Sequence, residues 1–197
     1  MKDKDDVIKT ICGALSEGNI ADASDIARRE YPFFVPSLVT RNFNETQALR
    51  IFVRDGFVDR YSGKHLLFPP VLRLLSFLLP KEFPFHRNWK MKETHPIYWE
   101  RFPTLDHIIP IARGGTDDAD NLISTSMLRN SAKANWTLEE LDWSVHPPGD
   151  MDQWDGMLSW FVKYMEKDRN NMKGKYLDRW YRVARSLYSR DFLWTKT

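Results

Sequence analysis

Asp106 and His107 are adjacent in this 197-residue chain, and Asn121, Asn130 and Lys133 lie a short way downstream. A neutral imidazole is the natural proton acceptor near pH 7. A carboxylate and an amide oxygen are hard ligands suited to Mg²⁺ or Mn²⁺, with water and phosphate oxygens filling the rest of the shell. Hydrolysis of a phosphodiester needs such a set: a water made nucleophilic, a cation facing the phosphate charge, and help for the departing 3′ oxygen. Asp106 and Asn130 offer such oxygens, His107 offers the imidazole, and Lys133 is either a surface lysine or a phosphate contact. Asn121 either accepts from the imidazole N–H or braces the loop, two roles the sequence leaves open.

These groups need positioning, and the local pattern suggests how. Thr104 to Ile108 is short and β-prone, Gly114-Gly115 with Asp117-Asp118 makes a wide turn, and Asn121 to Thr125 returns as a second strand. Ser126 to Glu140 is a helix former with a break near Asn135-Trp136-Thr137. Neighbouring strand residues point to opposite faces, so Asp106 and His107 cannot project alike. One faces a metal held against the helix, while the other reaches the substrate from the strand end. Asn130, in the first half of the helix, can turn back toward Asp106.

This stretch resembles the HNH (His-Me finger) nuclease family, in which Asp-His precedes a Gly-Gly loop, an Asn-Leu pair, and a helix bearing Asn or His and then Lys. The resemblance covers roughly residues 54 to 63 and 100 to 135. It implies Asp106 as the metal-binding acid, His107 as the base, Asn121 as the central Asn, Asn130 as the last ligand and Lys133 as the helix Lys. Arg54-Asp55-Gly56 is similar to an element found upstream in the family. The implied fold is α+β, a ββα-metal core embedded in mainly helical N- and C-terminal regions. The implied activity is endonucleolytic cleavage of DNA, leaving 5′-phosphate and 3′-hydroxyl ends, with a restriction or phage-defence role as a family-level expectation. Many relatives hold a structural zinc with two CxxC pairs. The corresponding positions here, Asp59 with Ser62 and Ser126 with Arg129, lack cysteine, so no structural zinc is expected. Apolar packing from Leu66, Phe68, Leu122 and Leu128 is expected in its place.

The flanks read as helical. Val7, Ile8, Ile11, Cys12 and Leu15 recur at helical spacing, a second helix fits Ile20 to Glu30, and a third fits Asn44 to Arg54 with Asn44 as N-cap and Gly56 just past its end. Phe57-Val58 and His65 to Phe68 suggest a hairpin turning at Ser62-Gly63, before a buried helix over Pro70 to Leu79. Two C-terminal amphipathic helices are expected, one carrying Trp154, Met157, Trp160, Phe161 and Tyr164, the other Tyr176, Trp180, Val183, Ala184 and Leu187. These aromatic stripes read as core. The expected divisions are 1–53, 54–148 and 149–197, packed as one unit.

Net charge is +2, which permits a nucleic-acid partner without arguing for one, so a basic surface must come from clustering. Arg113, and Lys175, Arg179 and Arg182 with Arg185 on the last helix, are the candidate DNA contacts. His65, His86, His95 and His146 have no partner pattern and read as structural or exposed. The single cysteine, Cys12, allows no internal disulfide, and MKDKDD is too charged for a leader, so a reducing cytoplasm is expected. The apolar run Val71 to Leu79 contains Arg73 and falls far short of a membrane span. A homodimer is compatible with double-strand cutting. Two other readings stay open: a non-catalytic DNA-binding module on the same scaffold, and a toxin-type nuclease acting on RNA or without sequence preference.

Overall fold

The computed structural model describes residues 3–33, 43–168 and 174–190. The chain divides into two compact units, Met1–Thr40 and Arg41–Thr197. In the first, α1 (Lys4–Ser16) and α2 (Ile20–Glu30) pack on each other through Val7, Ala14, Ala23 and Ile26, with Ile11 against them. Both helices begin as polar caps dictate: Asp3 accepts from the Asp5 N–H and Asn19 from the Asp22 N–H. The chain turns between them at Gly18, where φ is +77°.

The second unit starts with α3 (Glu45–Arg54), closed at its N-terminus by the reciprocal capping box of Asn44 and Gln47. Next come α4 (Pro69–Leu78), α5 (Ile97–Arg101), β1 (Pro103–His107), β2 (Leu122–Ser126), α6 (Met127–Lys133), α7 (Leu138–Leu141), α8 (Leu158–Asp168) and α9 (Lys175–Arg190). The class is α+β, as expected. Leu49 and Phe52 of α3 share one core with Phe57, Phe68, Leu74 of α4, Phe161 of α8 and Trp180 of α9. Phe68 is fully buried at its centre, edge-on to Phe57, Phe161 and Trp180 at 6.2, 5.4 and 5.4 Å. α3 therefore belongs to the same core as α4, α8 and α9. The boundary falls near residue 40 instead of 53, and residues 149–197 have no core of their own.

Several elements differ in extent from the sequence reading, each for a local reason. The segment around Ser62-Gly63 turns back on itself, but forms only the bridge Val58↔His65. Trp154 and Met157 precede α8 instead of lying on it. Gly156 and Met157 both have positive φ, and Asp155 caps the helix by accepting from the N–H groups of Met157 and Ser159. The helix after β2 does break, with Ala134 at φ +46° ending α6, and Thr137 starts α7 with a capping box. Among the described residues no helix is long and apolar enough to cross a membrane.

β1 and β2 pair antiparallel, with Asp106 opposite Ile123 and His107 opposite Leu122. A two-stranded sheet leaves an outer edge on each strand, which is costly where it is buried. The outer edge of β2 is satisfied by residues 54–60. Asp55 accepts from the Ser124 N–H at 2.7 Å and Asp59 from the Ser126 N–H at 3.0 Å. The Arg60 N–H donates to the Ser124 carbonyl and the Arg54 guanidinium to the Leu122 carbonyl. Asp59 takes two further bonds, from the Tyr61 N–H and the Thr125 hydroxyl. Both carboxylates are buried. The join between β2 and the segment around Asp59 is thus a carboxylate bonded to the backbone. Of the four apolar residues expected to pack at this join, Leu66, Phe68 and Leu122 are buried, and Leu128 is 52% exposed. Gly56 permits a close approach of the backbone at Gly149: its φ is +63°, and a Cβ would lie 2.2 Å from the Gly149 carbonyl oxygen.

Replacing Asp59 with Ala strips the acceptor from three donors in a buried site, at roughly 1–3 kcal/mol per stranded group before relaxation. We expect Asp59→Ala to lose about 3 kcal/mol, which for a chain of this size lowers Tm by about 6–12 °C in a thermal melt followed by circular dichroism. A change below about 2 °C would show that the carboxylate does not hold the strand.

Candidate active site

Thr104 and Asp106 share one face of β1, and α6 lies against that face. Within α6, Asn130 and Lys133 are three residues apart and so point the same way. The Asn130 amide donates to the Thr104 hydroxyl at 2.9 Å and to the Leu105 carbonyl at 3.2 Å. The Lys133 ammonium stands 3.0 Å from Asp106 Oδ2 and donates to the His107 carbonyl at 2.7 Å. Tyr61, on the turn after Asp59, donates its hydroxyl to the same Asp106 Oδ2 at 2.6 Å. Burial, and then the Asp106 charge, push the Tyr61 hydroxyl well above its ordinary pKa, so it stays a donor.

These contacts hold Asp106 asymmetrically. Oδ2 is tied to Tyr61 and Lys133, while Oδ1 makes no hydrogen bond among the described residues. Asn130 is similar, with its NH₂ group engaged and its carbonyl oxygen without a partner among the described residues. Two hard oxygen donors are thus left on the face shared by β1 and α6. No group of three or more His, Cys, Asp or Glu that could hold a metal is present among the described residues, and a centre on these two oxygens would draw one carboxylate from the chain. Most of its shell would come from amide, water and phosphate oxygens.

His107 projects from the other face, at the strand end. Its Nε2 lies 2.8 Å from Asp117 Oδ1, and the Phe43 ring lies 6.1 Å away between centroids. A carboxylate only accepts, so Nε2 is the donor to Asp117, and Nδ1 is the ring nitrogen outside that bond. Only 15% of the His107 side chain is exposed. Asp117 was legible only as half of an Asp-Asp turn, although an acid ten residues past the histidine on the same loop was the available signal.

Of the two roles open for Asn121, the structure places it in the loop. Its Oδ1 accepts from the Ile109 N–H, and its Nδ2 donates to the carbonyls of Ile109 and Thr116 at 3.0 and 2.8 Å. Its amide therefore pins both ends of the loop carrying Asp117. Gly115 is needed for this closure, since a Cβ there would fall 1.9 Å from the Ile109 carbonyl oxygen. Ile108, Gly114, Thr116, Asp118 and Asp120 line an open cavity of about 600 Å³ beside the loop.

Other expected residues stand differently. Lys133 is fully buried, so its ammonium braces Asp106 and the His107 backbone in place of the phosphate contact read from the sequence. Arg113 reaches Glu140 at 3.4 Å and Arg179 reaches Glu45 at 3.0 Å. Arg182 donates to the Asp178 carbonyl, and Arg185 lies over the Tyr181 ring. Lys175, Arg179, Arg182 and Arg185 are exposed on α9, away from the buried Trp180 and Ala184. Arg54 and Asp55 hold β2, and His65 stacks on Trp154 at 4.9 Å. Tyr61, Asp59 and Asp117 escaped the sequence reading.

No family model, no curated protein and no solved structure matches this chain.

Proposed function

We propose that the chain is a divalent-cation-dependent endonuclease that hydrolyses phosphodiester bonds of DNA. What supports this reading is that Asp106 and Asn130 each keep one oxygen without a partner among the described residues, while His107, next to Asp106 in the chain, has one ring nitrogen bonded to an acid. The donor set suits Mg²⁺ or Mn²⁺, with Asp106 Oδ1 and the Asn130 carbonyl oxygen as the ligands from the chain. When bound, such a cation supplies charge compensation for the scissile phosphate and the departing 3′ oxygen.

The remaining work falls to the protein. His107 Nδ1 takes the proton of the attacking water, and Asp117 holds the ring and stabilises the imidazolium that results. Asn121 keeps the loop closed so that Asp117 stays in reach. Lys133 and Tyr61 fix Asp106 by one oxygen and leave the other for the ion. A single centre per chain cuts one strand, so double-strand cleavage would take a second copy as a homodimer. The proposal places the protein in the cytoplasm, in a restriction or phage-defence setting.

Purified protein incubated with supercoiled plasmid should nick it in Mg²⁺ or Mn²⁺ and not in EDTA. His107→Ala should slow nicking by at least about 100-fold, the usual weight of a general base. Folded wild-type protein that cuts no DNA with either ion, or a His107→Ala variant as fast as wild type, would overturn the reading.

Asp117 offers a finer check. Asp117→Ala should slow nicking by about tenfold through kcat with KM little changed. Asp117→Asn keeps an acceptor for Nε2–H and should recover most of the rate. Equal losses for Ala and Asn would show that the bond to the ring does not matter.

A further inference from the structure

A loop of the second unit has no role in the chemistry above. Residues 84–95, between α4 and α5, form this loop, and its ends are tied together. The His95 N–H donates to the Pro84 carbonyl at 2.8 Å, and the His86 N–H to the buried Thr94 hydroxyl at 3.1 Å. At its middle the chain takes φ +54° at Trp89, a conformation a bulky side chain adopts only when its surroundings impose it. They do so here, with the rings of Phe85, Tyr98, Trp99 and Phe102 all packed on the indole between 5.1 and 5.9 Å. The Arg73 guanidinium lies 3.6 Å over Phe85, and the Tyr98 hydroxyl is bonded to Ser76 and the Leu72 carbonyl. The foot of the loop is closely packed and hydrogen-bonded.

The tip is the opposite in character. Arg87, Asn88, Lys90, Met91 and Lys92 are exposed around the inward-turned Trp89, and Met91 is 77% exposed. Arg87 and Lys92 make no hydrogen bond or ion pair among the described residues. Lys90 meets Glu93 at 3.1 Å in an exposed pair, which contributes little and exchanges readily for another anion. Three cations against one carboxylate give these twelve residues the same excess charge, +2, as the whole chain.

We propose that this loop is a duplex-DNA contact: Arg87, Lys90 and Lys92 hold phosphates, and Met91 enters the groove between them. The proposal rests on the DNA reading above and names where the duplex is held. An aromatic-pinned loop loses little conformational entropy on binding. A methionine flanked by lysines combines phosphate contacts with an apolar wedge of the sort that enters the minor groove. The loop is also joined to the strand of the candidate site, since Trp89 packs on Phe102, the residue before β1.

The test is fluorescence anisotropy with a labelled 30-base-pair duplex in EDTA, so that no cleavage occurs, across a range of salt. The combined variant Arg87→Ala/Lys90→Ala/Lys92→Ala should weaken binding at least about tenfold at 100 mM salt. It should also flatten the slope of log Kd against log salt by about two to three, close to one per phosphate contact. Met91→Ala should weaken binding severalfold with the slope unchanged. Circular dichroism melts identical to wild type exclude unfolding, and the exposed positions make that the expected result. The proposal is overturned if the triple variant binds within twofold of wild type. It is also overturned if Lys175→Ala/Arg179→Ala/Arg182→Ala abolishes binding while the loop variant retains it, if wild type binds no duplex, or if wild type prefers RNA of the same sequence. The two readings fail separately: loop-dependent binding without cleavage leaves the loop standing, and cleavage with loop-independent binding leaves the endonuclease standing.

Discussion

Two buried aspartates bonded to the backbone of one short strand hold the second unit's candidate site in place. β2 has β1 on one side and no strand on the other, yet both edges are satisfied because Asp55 and Asp59 accept from its outward N–H groups. A buried carboxylate is costly unless its oxygens are bonded, and charge-assisted bonds are the stronger kind. Asp55 also carries the guanidinium groups of Arg54 and Arg60 on its other oxygen. Segment 54–60 thereby acts as a polar splint along β2. The register of β1 depends on β2, and α6 starts where β2 ends, at Ser126, so every candidate site residue on these elements inherits its position from that splint.

From there the site is built by engaging one end of each functional group and leaving the other. Tyr61 and Lys133 hold one oxygen of Asp106, Thr104 and the Leu105 carbonyl hold the amide nitrogen of Asn130, and Asp117 holds one nitrogen of His107. Such half-engaged groups are preorganised without being used up. Lys133 ties the Asp106 side chain to the backbone of the next residue, since its ammonium meets Asp106 Oδ2 and the His107 carbonyl together. A neutral residue of the same shape would leave Asp106 buried without its cation, which explains why a fully buried lysine sits at this point.

Much of this was legible from spacing. The strand, glycine turn, strand and helix over residues 103–133 match the periodicity and turn residues, and alternation along β1 separates Asp106 from His107 as a strand requires. Gly115 could be assigned to the turn by its type, whereas for Asn121 the sequence left loop brace and imidazole acceptor both open until its bonds to Ile109 and Thr116 were seen. The missed features are those that depend on long-range contacts. Nothing in the sequence near Asp59 says that its partners lie at Thr125 and Ser126, and the expectation of apolar packing there overlooked a polar join. Lys133 reads as a surface lysine or a phosphate contact until its burial and the Asp106 carboxylate opposite it are seen. The start of α8 lay beyond periodicity because Trp154 and Met157 continue its apolar stripe while Gly156 turns the backbone aside.

The central claim is that Asp106 and Asn130 share one ion beside His107. The most direct measurement is a crystal soaked in Mn²⁺ and probed by anomalous diffraction at the manganese edge. The account predicts one strong peak in coordination contact with Asp106 Oδ1 and the Asn130 carbonyl oxygen, on the face of β1 that packs against α6. A Mn²⁺ peak elsewhere with none between these two oxygens would contradict it.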